Sequence, residues 1–431
     1  MRRFVLQETL FEEPECAAQV RQETSSTFAD NLRLPVHRWF RFSAGFSAEW
    51  VQGLIRESGL PEPHVLDPFA GSGTTLLAAE KASAESMGVE AHPFIARVAE
   101  AKLAWRSDAD AYLTKARAMR DLSRGQASEI APYPPLIRKC YDDQTLGSLD
   151  SLRRAYEKVK DDSPASKLCW LTLVCILRQV SPVGTAQWQY VLPKKQKRKV
   201  AGVYEAFDRC CEMFYHDMVL GRNVRGPHPV LIQGDARTCR GVPDGWADLV
   251  ITSPPYPNNY DYADATRLEM CFLGEIGGWG DLQNAVRRNL VRSCSQHVPE
   301  HAENLDKILD SRDIAPIRDE LSLVCRRLAQ VRLTKGGRKT YHLMVGCYFL
   351  DLAHVWHAIR RCCKAEAKVC FVVGDSAPYG VYVPVIPWLG RLALSAGFRT
   401  YDFEKTRDRN IKWKNRKHRV PLQEGRLWVK G

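Results

Sequence analysis

Strand-forming and helix-forming segments alternate between residues 65 and 105, and this alternation restricts the fold more than any other feature of the sequence. Val65-Leu66 predicts a short buried strand, residues 76–82 predict a helix, residues 87–90 predict a second strand, and residues 94–105 predict a second helix. Strands and helices that alternate in this way build open parallel sheets. The sequence therefore predicts an α/β domain with a Rossmann-like, mostly parallel sheet.

The same alternation resumes in the second half of the chain. Strands are predicted at residues 228–236, 247–252 and 367–376, and residues 398–407 and 426–431 predict a C-terminal antiparallel hairpin. The long intervening stretch has helical spacing and many charges, which favours a helical insert. We divide the chain into a polar lead-in (1–28), a first half of the α/β domain (29–106), a helical insert (107–227) and a second half with a basic C-terminal segment (228–431).

Two prolines follow directly on the strand predicted at residues 247–252. Pro254 and Pro255 each remove a backbone donor and fix φ near −65°, so the chain cannot continue in a sheet there. We call residues 253–262 the elbow. Its stiffness would hold Ser253 and Tyr256 in place at the carboxyl end of a strand. Since one proline is enough to end a strand, the second indicates that the fixed position of these two side chains has a functional role.

The segment DPFAGSGTT (67–75) joins a predicted strand to a predicted helix. Its glycines allow the backbone to approach a ligand closely at a helix N-terminus. Leu76 stands where a dinucleotide-binding motif would have its third glycine, and no lysine follows as in a P-loop. Acidic residues end this strand and two others: Asp67, Glu90 and Asp235. A carboxylate at such a position can accept hydrogen bonds from a ribose diol, so the three predict a pocket for a nucleoside-bearing ligand.

These two motifs together resemble the S-adenosylmethionine-dependent amino-methyltransferases of DNA. The sequence Ser-Pro-Pro-Tyr at 253–256 is similar in particular to enzymes that methylate the N4 amino group of cytosine. The resemblance implies a methyltransferase fold and S-adenosyl-L-methionine as the cofactor. It also implies that the catalytic residues are Ser253, Pro254, Pro255 and Tyr256. The residues that it implies for cofactor binding are Phe46, Asp67, Phe69, Gly71, Gly73, Thr74, Glu90 and Asp235.

The elbow fits the chemistry of amino methylation. An exocyclic amine is a poor nucleophile, so acceptors such as the Ser253 hydroxyl and the Pro254 carbonyl would orient it towards the methyl group. The base must leave the duplex to reach them, and Tyr256 would stack on it, with Tyr260 and Tyr262 as further walls. Serine at 253 favours cytosine. The alternatives are methylation of adenine N6 or of an RNA base, and a non-catalytic nucleic-acid-binding protein on the same fold.

The charge balance favours a polyanionic partner, which we expect to be DNA. Lysine and arginine number 62 against 50 acidic residues, for a net charge of +12. Two basic runs supply candidate DNA contacts: Lys194, Lys195, Lys197, Arg198 and Lys199; and Lys412, Trp413 and Lys414. No metal-ligand spacing, signal peptide or membrane-spanning run is recognised. We expect a cytoplasmic protein with neither a metal nor a membrane partner, working beside restriction or defence components.

Overall fold

The structure is a computed structural model, and it describes most of the chain. The described residues are 30–42, 45–185, 190–197, 200–258, 261–298, 303–336, 339–409 and 420–431. The predicted DNA contacts Arg198, Lys199, Lys412, Trp413 and Lys414 lie outside them, as does the predicted pocket wall Tyr260.

Within the described residues the centre of the molecule is a seven-stranded sheet with the strand order β5-β2-β1-β6-β7-β9-β8. Its first four pairings are parallel, whereas β7 pairs with β9 and β9 with β8 in antiparallel fashion. The Rossmann-like, mostly parallel sheet with a C-terminal hairpin is therefore confirmed. Its strands are β1 His64–Asp67, β2 Glu85–Glu90, β5 Val230–Gln233, β6 Ala247–Thr252, β7 Cys363–Gly374, β8 Thr400–Arg409 and β9 Leu422–Lys430, and a separate pair consists of β3 Val183–Thr185 and β4 Val191–Gln196.

Helices cover the sheet and fill the middle of the chain. Among the described residues, five helices pack on the sheet: α1 Ala48–Glu57, α2 Thr74–Lys81, α3 Pro93–Leu103, α14 Tyr341–Cys362 and α15 Val385–Ser395. Helix α13 Arg318–Arg332 packs on α14. The remaining helices are α4 Ala109–Arg124, α5 Pro135–Cys140, α6 Asp143–Val159, α7 Pro164–Val180, α8 Val203–Gly221, α9 Tyr262–Ala265, α10 Arg267–Leu273, α11 Leu282–Ala285 and α12 Leu305–Leu309.

The central strands are apolar because they are covered on both faces. Val65 and Leu66 of β1 pair in parallel with Leu249 and Val250 of β6, and all four are buried. A strand buried on both faces reads as a continuous apolar run, which is how both strands were recognised in the sequence.

The chain order creates a cleft between β1 and β6. From β1 the chain runs outward to β2 and β5, whereas from β6 it runs outward to β7 on the other side. Connections that diverge from two neighbouring parallel strands leave a crevice at the strands' carboxyl ends, where α/β proteins bind ligands. Asp67 and Thr252 end these two strands, so the glycine-rich segment and the elbow both start at this crevice.

The segment 107–227 differs from expectation in one respect. Helices α4 to α8 make up most of it. Lys194 and Lys195 of the basic run, which was expected within a helical insert, lie instead in strand β4, which pairs with β3. Pro193 is incompatible with a helix interior, and the buried β-branched residues Val183 and Val191 suit a strand pair. The division of the chain into domains remains our interpretation.

Candidate active site

A cavity of about 870 Å³, including its open mouth, lies at the carboxyl ends of β1, β2 and β6. A crevice at this edge of a parallel sheet is where α/β proteins bind ligands. The structure brings together here most of the residues predicted from the two motifs. Those that line the cavity are Phe46, Asp67, Phe69, Gly71, Thr74, Glu90, Asp235, Ser253, Pro255 and Tyr262.

The glycine-rich segment turns sharply beside the cavity. Gly71 has φ of +53° and Gly73 has φ of +85°, a left-handed conformation that favours glycine. A Cβ atom on Gly71 would also lie 3.1 Å from Cε1 of Phe42, another residue of the cavity wall. Gly73 is not a lining residue; it is the N-cap of α2 and sets the direction in which that helix leaves the loop.

Asp67 connects the glycine-rich segment to the elbow. Its carboxylate, only 2% exposed, accepts hydrogen bonds from Phe69 N at 3.0 Å, Thr75 Oγ1 at 2.6 Å and Thr252 Oγ1 at 2.5 Å. Burial raises the pKa of Asp67 to about 6, although these three donors act in the opposite direction. Its oxygens serve the protein's own loop and strand, so the geometry gives Asp67 a scaffolding role at the cavity.

Glu90 organises the other side of the cavity. One carboxylate oxygen accepts a hydrogen bond from Gly71 N at 2.8 Å and the other from His92 N at 2.7 Å. Burial raises the pKa of Glu90 to about 7. Each oxygen keeps a second lone pair, so this carboxylate can bind a ligand while it holds the glycine-rich segment.

Asp235 is held by an arginine that the sequence analysis did not identify. Arg237 Nε lies 3.0 and 2.9 Å from the two carboxylate oxygens, and the backbone N–H of Arg237 donates to Oδ1 at 2.8 Å. The Asp235 side chain remains one-third exposed and lines the cavity. The ion pair fixes the direction in which the carboxylate can accept a further hydrogen bond.

The elbow leaves the sheet at Thr252, as the two prolines require. The Ser253 hydroxyl donates to Val372 O at 3.2 Å, and the Ser376 hydroxyl donates to Pro257 O at 2.7 Å. Both contacts fasten the elbow to β7 and the residues that follow it. Because the Ser253 proton points to Val372, an oxygen lone pair can accept from a group in the cavity.

Tyr256 lies differently from the other motif residues. Neither it nor the buried Pro254 lines the cavity, and the Arg409 guanidinium lies over the Tyr256 ring, 5.0 Å from its centroid. Arg409 is held there by a hydrogen bond from Nη1 to Asp375 O at 2.9 Å. One face of Tyr256 is therefore covered by a cation, and a base could stack only on the other face or in place of Arg409.

Several wall residues carry no recognisable signal in the sequence. Asn289, Leu290, Val291 and Ser293 line the cavity from a loop far along the chain. His92 also lines it, and burial lowers the pKa of His92 to about 4, so the ring is neutral at physiological pH. Its Nε2 lies 3.0 Å from Thr266 Oγ1, and this contact holds the ring in place.

The predicted nucleic-acid residues that the structure describes fall into two groups. Tyr262 lines the cavity, with its ring 6.5 Å from that of Phe42. Lys194, Lys195 and Lys197 belong to β4 or follow it directly. The Lys197 ammonium donates to Arg178 O at 2.6 Å and Ser181 O at 3.0 Å, which caps the C-terminal end of α7. A phosphate contact by Lys197 would have to compete with these bonds.

In the described part of the chain, no group of three or more His, Cys, Asp or Glu side chains is placed to hold a metal ion. Among the described helices, none combines the length and the apolar character needed to cross a membrane.

Comparison with known proteins relates the chain to DNA methyltransferases. The family N6_N4_Mtase, described as DNA methylase, matches residues 8–101, which include the glycine-rich segment and Glu90. Type II methyltransferase M.BsoBI of Geobacillus stearothermophilus is 24% identical over 94% of this chain and 87% of its own length. Type II methyltransferase M.AvaI of Nostoc sp. is also 24% identical, over 86% of this chain and 81% of its own.

A solved structure is also similar to the chain. The match to the rRNA methyltransferase aviRa from Streptomyces viridochromogenes spans 91% of this chain and 86% of the aviRa chain, at 10% sequence identity and a TM-score of 0.26. The family match and the curated relatives agree with the motifs: the chain resembles the S-adenosylmethionine-dependent amino-methyltransferases of DNA, and its relatives are named as Type II methyltransferases.

Proposed function

We propose that this protein transfers the methyl group of S-adenosyl-L-methionine to the N4 amino group of a flipped-out cytosine in DNA. One observation carries the proposal. The residues assigned to the cofactor and the residues of the elbow line a single cavity, in which Glu90, Asp235 and Ser253 all take part. A methyl donor and an amine must meet in one enclosed space for direct transfer.

The chemical groups in the cavity fit this cofactor. Glu90 and Asp235 offer carboxylate acceptors, which suit a ribose diol and an adenine amine. Phe46 and Phe69 offer aromatic surface for the remainder. The tight turn at Gly71 lets the backbone come close to a ligand. When bound, the cofactor supplies an electrophilic methyl group.

Ser253 would orient the amine. The hydroxyl donates to Val372 O, so an oxygen lone pair can accept a hydrogen from the exocyclic amine. A hydrogen bond to Ser253 favours a pyramidal amine nitrogen, whose lone pair is no longer conjugated with the ring and can point to the methyl group. An interaction that strengthens as the reaction proceeds lowers the barrier instead of merely tightening binding.

Methylation of adenine N6 is the second candidate. The matching family carries both N6 and N4 in its name, and an exocyclic amine on adenine would meet the same acceptors. Serine at position 253 favours cytosine. Two features support DNA as the polymer: the matching family is described as DNA methylase, and the net charge is +12.

The test is transfer of labelled methyl groups to unmethylated plasmid DNA, with RNA as a parallel substrate. We expect label in DNA with the parent protein, and transfer about tenfold or more slower with Ser253→Ala at unchanged cofactor affinity. Ser148→Ala is the matched control, because Ser148 lies on α6 outside the cavity and its hydroxyl donates to Gln144 O of the same helix. Label that enters RNA alone, or equal rates for Ser253→Ala and the parent, would contradict the proposal.

A further inference from the structure

The β3–β4 hairpin contacts the elbow directly. Tyr190 precedes β4, and the backbone N–H of Asp261 donates a hydrogen bond to the Tyr190 hydroxyl at 2.6 Å. Asp261 lies five residues after Tyr256 in the elbow, immediately before α9. A segment 71 residues away in sequence therefore touches the part of the chain that would receive the target base.

Asp261 is also the centre of a buried polar network. Its Oδ2 accepts from Arg287 Nε at 3.0 Å and from Arg287 Nη2 at 2.6 Å, and its Oδ1 lies 3.3 Å from His297 Nε2. Burial raises the pKa of Asp261, but the hydrogen bonds from His297 and Arg287 outweigh it and hold the pKa at about 2. The carboxylate is therefore charged at physiological pH and paired with a guanidinium that is itself 2% exposed.

The network extends from Asp261 to the cavity wall. His297 Nδ1 lies 3.2 Å from Val291 O, and Val291 lines the cavity. Arg287 precedes Asn289, a second wall residue, by two positions. A displacement of Asp261 would therefore move the elbow and the opposite wall together, because both are hydrogen-bonded to the same carboxylate or to its partners.

A second chain of contacts joins the same hairpin to the helix after the elbow. The Lys197 ammonium, just beyond β4, donates to Arg178 O at the end of α7. The Arg178 side chain in turn donates from Nη2 to Ala265 O at 2.7 Å, and Ala265 ends the helix that starts at Tyr262. Arg178 also forms a buried ion pair with Glu269 of α10. The hairpin thus contacts the elbow directly at Asp261, and Lys197 connects it through Arg178 to the helix that follows.

The hairpin itself is basic in sequence. Lys194, Lys195 and Lys197 fall within or next to β4, and Arg198 and Lys199 follow. A short run of cations is suited to phosphate contacts, which position a protein on DNA without reading its sequence.

We propose that the β3–β4 hairpin docks on DNA and that the hydrogen bond between Tyr190 and Asp261 couples the position of the hairpin to that of the elbow. They are positioning residues: docking of the hairpin holds the elbow and the Val291 wall in the arrangement that accepts the base. Coupling between two sites travels through packed and hydrogen-bonded contacts such as these. The inference rests on the proposed function, since it presumes methyl transfer to DNA.

The test compares Tyr190→Phe with the parent in single-turnover methyl transfer to unmethylated plasmid DNA at saturating enzyme. Loss of one neutral hydrogen bond corresponds to a rate about 2- to 12-fold lower. We expect DNA affinity and cofactor affinity to stay within error of the parent. Tyr215→Phe is the matched control, since it removes a hydroxyl that contacts Asp110 on the surface of the same segment.

A double-mutant cycle makes the test specific for coupling. The double variant Lys194→Gln/Lys195→Gln should bind DNA more weakly than the parent. In that background Tyr190→Phe should have little further effect on the rate, because a hairpin that is not bound to DNA no longer positions the elbow. Independent effects that simply multiply would overturn the inference.

The remaining outcomes separate the inference from the proposed function. If the parent transfers no methyl group to DNA, the proposed function fails and the inference fails with it. If the parent is active and Tyr190→Phe is equally fast, the inference alone is wrong. A Tyr190→Phe protein that loses thermal stability and cofactor affinity together would show a purely structural role and would also overturn it.

Discussion

Replacement of Glu90 by glutamine tests the cofactor pocket. The carboxylate accepts from Gly71 N at 2.8 Å and from His92 N at 2.7 Å, so both oxygens act as acceptors. Glutamine has one acceptor oxygen and one NH₂ donor, and the donor must face one of these two N–H groups. Glu90→Gln therefore disturbs the glycine-rich segment and also removes a charged acceptor from the cavity.

The expected loss follows from that hydrogen-bond count. A hydrogen bond to a charged acceptor is worth about 1.5–3 kcal/mol, which corresponds to a Kd about 10- to 150-fold higher. Calorimetric titration with S-adenosyl-L-methionine at pH 8 measures it. Asp248→Asn is the matched control, because Asp248 lies at the opposite end of β6 and pairs with Lys364. A Kd for Glu90→Gln within twofold of the parent would refute the assignment of Glu90 to the cofactor.

The pH dependence of binding adds a second readout for Glu90. Burial raises the pKa of its carboxyl to about 7, so the unliganded protein holds a proton there below that pH and loses it above. Binding that requires the ionised form weakens as the pH falls, by about tenfold between pH 8 and pH 6. Glu90→Gln should lack this component, and comparison of the two proteins cancels every other titrating group. Equal pH profiles would contradict the role of the carboxylate.

Three further predictions concern the scaffold, the elbow and the basic hairpin. The raised pKa of Asp67, about 6, means that the folded state binds the extra proton between about pH 4 and 6 and that stability falls as the pH rises through this window. The stability of Asp67→Asn, measured by thermal unfolding, should not fall in this way. Asp67→Ala removes the acceptor of three hydrogen bonds, so its free energy of unfolding should be about 3 kcal/mol lower at pH 7. An Asp67→Ala variant as stable as the parent would contradict the scaffolding role. Tyr256→Ala should weaken base capture by about 1–3 kcal/mol, seen as reduced fluorescence of a base analogue at the target position, and an unchanged signal would exclude stacking on Tyr256. Neutralising Lys194, Lys195, Lys197, Arg198 and Lys199 should flatten the salt dependence of DNA binding, and an unchanged slope would place the DNA surface elsewhere.

Much of the fold could be predicted because its signals are local. Val65-Leu66 and Leu249–Ile251 are apolar runs, as is typical of strands that are buried on both faces. The first run is followed by the glycine-rich segment and the second by the two prolines of the elbow, so the end of each strand could be predicted as well. The β3–β4 pair was missed because its strands are short and its basic residues fit a charged helix equally well.

The site was only partly predictable for a different reason. Residues within the two motifs share a signal along the chain, so most of them could be placed at one cavity in advance. Arg237, Arg287 and His297 act through contacts with residues distant in sequence, and nothing in their local sequence indicates those partners. The position of Arg409 over Tyr256 likewise depends on the packing of β8 against the elbow.

Identification of the methylated nucleoside tests the central claim most directly. The protein is incubated with unmethylated plasmid DNA and S-adenosyl-L-methionine carrying a labelled methyl group, the DNA is digested, and the nucleosides are separated and identified by mass. The cavity that joins Glu90 and Asp235 to Ser253 predicts label in N4-methyldeoxycytidine, and Ser253→Ala should reduce it. Label in N6-methyldeoxyadenosine alone would contradict the choice of cytosine, and DNA without label would contradict methyl transfer to DNA.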